Sequence, residues 1–243
     1  MLYLTAIPQV PEKIVGMKTI VYKSRVDPST LKKRAEEMKT ELFIKRFSKP
    51  NPEDIHVVSV DKHYEPYVLV DAKYRIEYYT KKVYIIEVAD KAQEVKILGA
   101  TFTPQLENAP DSSPEQTRNV VHLEGDELMS YEDKVYFILD KSGNEIMPDQ
   151  VPIAPSEEKP EKILKEFKKN TQKLTISERD VMVLAKTKLV KRPENLENVS
   201  NEVFHVTEYA TIYNPFYRIT FRNDKTKEEK TVDIDGVTGE TIN

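Results

Sequence analysis

The residues of this chain best suited to hold a metal are four histidines, His56, His63, His122 and His205. His56 and His63 stand seven apart in a segment that reads as extended, and an odd spacing puts their side chains on opposite faces. His56 and His205 occupy equivalent places in an internal repeat described below, and a pseudo-two-fold arrangement of that repeat would let them meet. A catalytic zinc needs three protein ligands, and no carboxylate cluster accompanies this pair. Ordinary strand histidines are therefore expected, and no metal. Asp233-Ile234-Asp235-Gly236 has the opening rhythm of a calcium loop but lacks the third acid and the terminal glutamate that such a loop uses. A turn is expected there. The six glycines form neither G-x-G-x-x-G nor a phosphate-binding loop. With no cysteine, the chain has no disulfide, no thiolate nucleophile and no cysteine-ligated metal. It has no G-x-S-x-G or S-x-x-K, and no spacing singles out an acid–base pair among its carboxylates. No catalytic residue and no cofactor are expected, so the chain reads as non-enzymatic.

Two basic runs could meet a nucleic acid. One holds Lys162, Lys165, Lys168, Lys169 and Lys173; the other holds Lys186, Lys188, Lys191 and Arg192. Lysines with interleaved aromatics can hold single strands through phosphate contacts and stacking. Glu157, Glu158, Glu161 and Glu166 dilute the first run, and the net charge of −4 weakens the whole class. Solvated helix faces are the simpler reading.

Thirteen Tyr and eight Phe separate this chain from disordered sequences. The length allows one large domain or two small ones with a real core. Dense Lys and Glu usage fits a thermophile. Pro8 and Pro11 interrupt the first residues, which lack the basic and apolar regions of a signal peptide. No window approaches the ~18 apolar residues of a membrane-spanning helix. A cytoplasmic protein is the expectation.

Asp27 and Pro28 open a helix, since Asp caps free N–H groups and Pro suits the first helical position. Leu31, Ala35, Met38 and Leu42 form its apolar stripe. Strands are expected at residues 55–60, 67–79, 83–88 and 94–98, with a hairpin at the Thr80-Lys81-Lys82 break. Pro104, Pro110 and Pro114 mark a linker over 103–119. A small β element follows over 120–147, then further prolines to Pro160. A basic helix is expected over 160–173, with Ile163, Leu164 and Phe167 on its apolar side. Another starts at Ser177, with Asp180 completing a variant capping box and Val181, Leu184, Ala185 and Leu189 facing inward. Strands at 203–209, 216–221 and 230–234 close the chain, the last two joined through Asn223-Asp224-Lys225-Thr226.

Residues 55–67, IHVVSVDKHYEPY, align without a gap on residues 204–216, FHVTEYATIYNPF. Tyr64-x-Pro66-Tyr67 matches Tyr213-x-Pro215-Phe216, and His56 matches His205. Each segment follows a capped helix. The expected architecture is α+β: two similar helix-plus-antiparallel-sheet units, an internal duplication joined by a Pro-rich linker with a small β insert. The units span 1–102 and 161–243, with the linker over 103–160. Tyr64, Tyr67, Tyr213 and Phe216, with His56 and His205 beside them, are the expected partner-binding residues. A core role for the aromatics, with Pro marking a strand start or bend, is the simpler alternative.

From Ser177 onward the chain resembles a PepSY-like domain, with a helix opened by Ser and acids, antiparallel strands, and a tail reading Val232-Asp233-Ile234-Asp235-Gly236-Val237-Thr238-Gly239. Gly236 and Gly239 would supply positive-φ positions in its turn. The resemblance covers about the last quarter of the chain, and the first unit only through the repeat. It implies a cystatin-like α+β fold and a protein that binds or restrains a protein partner. The leading expectation is thus a binding or scaffold protein using sheet edges and an aromatic groove, with an unidentified protein partner; a homodimer is left open. A nucleic-acid accessory factor and a small-ligand pocket protein are the alternatives.

Overall fold

The structure is a computed structural model that describes residues 9–44, 50–108, 117–194, 196 and 198–242. The proline-broken opening residues up to Pro8 and the linker prolines Pro110 and Pro114 lie outside the described residues. The elements are β1 (Glu12–Ile14), β2 (Lys18–Val21), α1 (Pro28–Leu42), β3 (Ile55–Val88), β4 (Val95–Ile97), β5 (Ala100–Phe102), β6 (Gln105–Asn108) and β7 (Thr117–Leu139). They continue with β8 (Glu145–Ile146), α2 (Pro160–Glu166), α3 (Glu178–Leu189), β9 (Asn198–Asn223), β10 (Glu229–Asp235) and β11 (Thr241–Ile242). Among the described residues, no helix is long and apolar enough to cross a membrane.

The expected duplication of helix-plus-sheet units is overturned. Among the described residues the molecule is 52% strand and 18% helix, built on one large, mostly antiparallel sheet of nine strands in which β1 and β2 pair parallel with β9. Its order is β11-β10-β9-β3-β7-β6, with β1 and β2 also on β9 and β8 on β7. The two matched segments, 55–67 and 204–216, lie in β3 and β9, which are neighbours in this one sheet. They do not found two sheets. The expected hairpin at Thr80-Lys81-Lys82 is absent, because β3 runs through it as a single 34-residue strand. Tight hairpin turns need residues with positive φ, usually Gly or Asn, and this β-branched, lysine-rich run has neither. Nor is residues 120–147 a separate small element: β7 is a 23-residue strand of the same sheet.

The chain divides into two compact units. One, the helix-bearing unit, comprises Met1–Tyr74, Asp133–Val190 and Phe204–Asn243; the other, the all-strand unit, comprises Arg75–Glu132 and Lys191–Val203. In the helix-bearing unit α1 forms where expected. Asp27 Oδ1 accepts from the N–H groups of Ser29 (2.9 Å) and Thr30 (3.0 Å). Leu31 and Ala35 are buried against Ile55, Ile219, Phe221, Val232 and Ile234, and Met38 and Leu42 pack at the margin. Helix α3 is capped by Ser177, whose Oγ accepts from the Asp180 N–H at 3.2 Å. It buries Val181, Met182, Ala185 and Leu189, with Met182 taking the place expected of Leu184. Helix α2 stops at Glu166, so Lys168, Lys169 and Lys173 lie beyond it.

The tail turn after β10 is held by Asp235, whose Oδ1 accepts from the N–H groups of Val237 (2.7 Å) and Thr238 (2.8 Å). Gly239 has φ +74, as the turn requires. Gly236 is needed for a different reason than expected. A Cβ there would stand 2.7 Å from the Pro215 carbonyl oxygen, which its own N–H contacts at 2.8 Å.

In the all-strand unit, β4 and β5 pair through the two-residue turn Leu98-Gly99, where both residues have positive φ. Strand β6 pairs with the first residues of β7, Gln105 opposite Val120. Among the described residues, only Ile76, Val120 and Val121 of this unit's apolar side chains are buried.

Candidate functional site

Tyr64 and Phe216, the most prominent of the matched aromatics, are core residues at 0% and 2% exposure. The Tyr64 ring meets Phe167 edge-on at 5.5 Å, and its backbone pairs with Asn170 and Gln172. Burial raises the pKa of the Tyr64 phenol, and Glu157 adds to this. Tyr67 is half-buried and donates to Glu65 Oε2 at 3.0 Å. Burial again, then the Glu65 charge, raises its pKa. Tyr213 is half-buried, and burial alone raises it.

His56 is exposed and lies 3.4 Å from Asp224. His205 is half-buried opposite Lys13 of β1, and burial followed by the Lys13 and Lys73 charges lowers its pKa. The two histidines do not meet. Thr207 bonds to the Asp71 carbonyl, which places that end of β9 beside the middle of β3, far along the strand from His56. Among the described residues, no three His, Asp or Glu side chains gather as a metal site would need.

Phe216 nonetheless floors a small cleft that no spacing in the sequence announces. Glu65, Lys141, Gln172, Arg218, Asp233 and Ile242 line it with Phe216, around about 200 Å³. Phe216 stacks on His63 at 5.2 Å, and the Arg218 guanidinium lies 5.8 Å from its ring centre. Lys141 Nζ donates to Glu65 Oε1 (2.8 Å) and Gln172 Oε1 (2.7 Å). Arg218 grips Asp233 with two N–H groups at 2.9 and 2.7 Å. That bonding raises the arginine pKa further. Each acid here is matched by a base, and the carboxylates' lone pairs are spent on neighbours. The cleft is also below the ~300 Å³ at which small-molecule pockets begin. It works as a polar clasp joining β3, β9, β10 and the loop after β7.

The second surface is the outside of the all-strand unit. From 81 to 87 every residue of β3 is exposed, and four of them in a row are Val83, Tyr84, Ile85 and Ile86. Tyr84 reaches β7, donating to Glu127 Oε1 at 2.9 Å with its ring over Gly125. Leu128 and Met129 of β7 are exposed at 55% and 41%. Leu98, at the hairpin tip, is fully exposed in a left-handed conformation (φ 51) that a branched side chain rarely adopts. The sequence marks 83–88 as a strand and says nothing of its exposure.

No family model, curated protein or solved structure matches this chain.

Proposed function

We propose that this chain is a non-enzymatic protein-binding or scaffold protein that docks its partner on the all-strand unit. The observation that carries this reading is a sheet with almost no core of its own. Apolar side chains stand outward along β3 and β7, and burying such surface is the main driving force for association. Between His122 and Lys134, β7 carries acids and no cation, with Glu124 and Asp126 exposed beside Leu128 and Met129. The partner segment that fits is basic and apolar. Strand β6 begins at Gln105 opposite Val120 and runs away toward Thr117, and no described strand besides β3 pairs with the part of β7 between Val120 and Ile138, so strand addition is open to it. The PepSY-like features of the last quarter point to the same class.

The test is a tagged pull-down from the native cell, with nuclease treatment. A stoichiometric protein that survives nuclease, is lost with Leu128→Glu, and is kept with Val183→Glu on the exposed side of α3 supports the reading. No such protein, or equal retention by both variants, overturns it.

One observation favours nucleic acid as a second reading. Lys165, Lys168 and Lys169 surround Phe167 at an open depression of about 530 Å³. The other basic run is largely tied down, with Lys186 on Glu12, Lys188 on Glu145 at 2.7 Å and Arg192 on Glu202 at 2.5 Å. A gel shift with single-stranded RNA or DNA that weakens with salt would favour this reading; none at low salt removes it.

A further inference from the structure

We infer that the partner segment joins β7 alongside residues 123–129 as an added strand, with basic residues at alternate positions and apolar residues between them. The inference rests on the reading of the all-strand unit as a docking surface. It names the backbone form and the side-chain order of what docks there.

One edge of β7 is taken by β3. On its other edge, β6 pairs from Thr117 to Val120, and β8 joins only at Ile138 and Leu139. Between them no described strand pairs with it. Residues 109–116 connect Asn108 to its own partner Thr117, so both ends of that connection lie at the far end of β6 from residues 123–129. An unpaired edge presents a row of backbone N–H and C=O groups that an extended chain can complete. Neither a helix nor a nucleic acid can supply that ladder.

The side chains of β7 select the occupant. Tyr84 of β3 lies against Gly125 and donates to Glu127, so residues 123, 125, 127 and 129 share its face. Glu124, Asp126 and Leu128 point to the other face and are exposed. Among the described residues no side chain pairs with Glu124 or Asp126. An added strand sets one residue directly opposite each residue of β7 on the same face, where opposite charges attract and like charges repel. The residues facing Glu124 and Asp126 stand two apart, so the matching segment is basic at alternate positions. Opposite Leu128 it is apolar, and on the Tyr84 face Leu123 and Met129 call for apolar residues as well. A second copy of this edge does not fit. Centred on Gly125, Asp126 or Glu127 in an antiparallel pair, it would set an acid against an acid.

The experiment titrates the full chain, over about 1–300 µM, into a fluorescent peptide of about seven residues in which Lys alternates with Val, and reads anisotropy. Micromolar binding is expected. A peptide of the same composition with its lysines and valines in separate blocks should bind at least about tenfold more weakly, because its charges no longer fall on one face. The double variant Glu124→Lys/Asp126→Lys should lose the Lys–Val peptide by at least about tenfold and gain a peptide alternating Glu with Val. That gain shows that the variant is folded. In an added strand the N–H groups of alternate residues point to the same edge, so N-methylation of either the lysines or the valines, but not both, should abolish binding. No binding of the Lys–Val peptide, equal binding of the blocked one, no switch in the double variant, or equal effects of the two N-methylations overturns the inference. Leu128-dependent capture in the pull-down, found together with any of these, would leave the docking reading standing without strand addition. Peptide binding by the edge without such capture would remove the docking reading instead, so the two fail separately.

Discussion

Strand β3 is buried at every second residue from Tyr64 to Ile76 and exposed at every residue from 81 to 87. Both stretches are rich in Val, Ile and Tyr. The first belongs mainly to the helix-bearing unit, where helices supply the second layer that an apolar sheet face needs. The second belongs to the all-strand unit, whose only buried apolar side chains among the described residues are Ile76, Val120 and Val121. β-propensity made both stretches strands, but it did not decide whether either would be covered. The difference separates the part of the molecule that stores stability from the part left available for contact.

That contrast predicts a steep gradient of mutational effects. Phe221→Ala, which empties a fully buried position beneath α1, should cost about 3–5 kcal/mol in denaturant unfolding. A cost below ~1 kcal/mol would mean that the helix-bearing unit is not the stable body. Ser177→Ala removes the cap of α3 and should cost about 1 kcal/mol, visible as a lower Tm.

A smaller effect concerns Asp140, in the loop after β7. Burial pulls its carboxyl upward, but the Asn144 side chain and the N–H groups of Asn144, Ser142 and Gly143 outweigh this and leave its pKa below the usual value. A depressed pKa contributes stability above the unfolded value of ~3.9, lost as pH falls through the folded one. Asp140→Asn should therefore flatten the acid side of the stability profile below about pH 4 and leave its slope at pH 7 unchanged. The smallest expected change is Ile85→Ser, within about 0.5 kcal/mol of wild type. A large loss there would show that residues 81–87 are covered after all.

Features whose causes lie within a few residues were legible in the sequence. The caps at Asp27 and Ser177, the stripe of Leu31, Ala35, Met38 and Leu42, and the turn at Asn223 all formed as expected. The match of 55–67 with 204–216 was visible too, but not its meaning: those segments are neighbours in one sheet rather than the seeds of two. The polar clasp could not be foreseen, because it assembles Glu65, Lys141, Gln172, Arg218 and Asp233 from distant parts of the chain.

The sequence by itself determined where strands and helices start, because capping, turn chemistry and side-chain periodicity act over one or two turns of chain. Only the tertiary structure decided that Tyr64 and Phe216 go inside while Val83, Tyr84, Ile85 and Ile86 stay outside. Burial depends on which other layer arrives to cover a face, and that is set by contacts far apart in sequence.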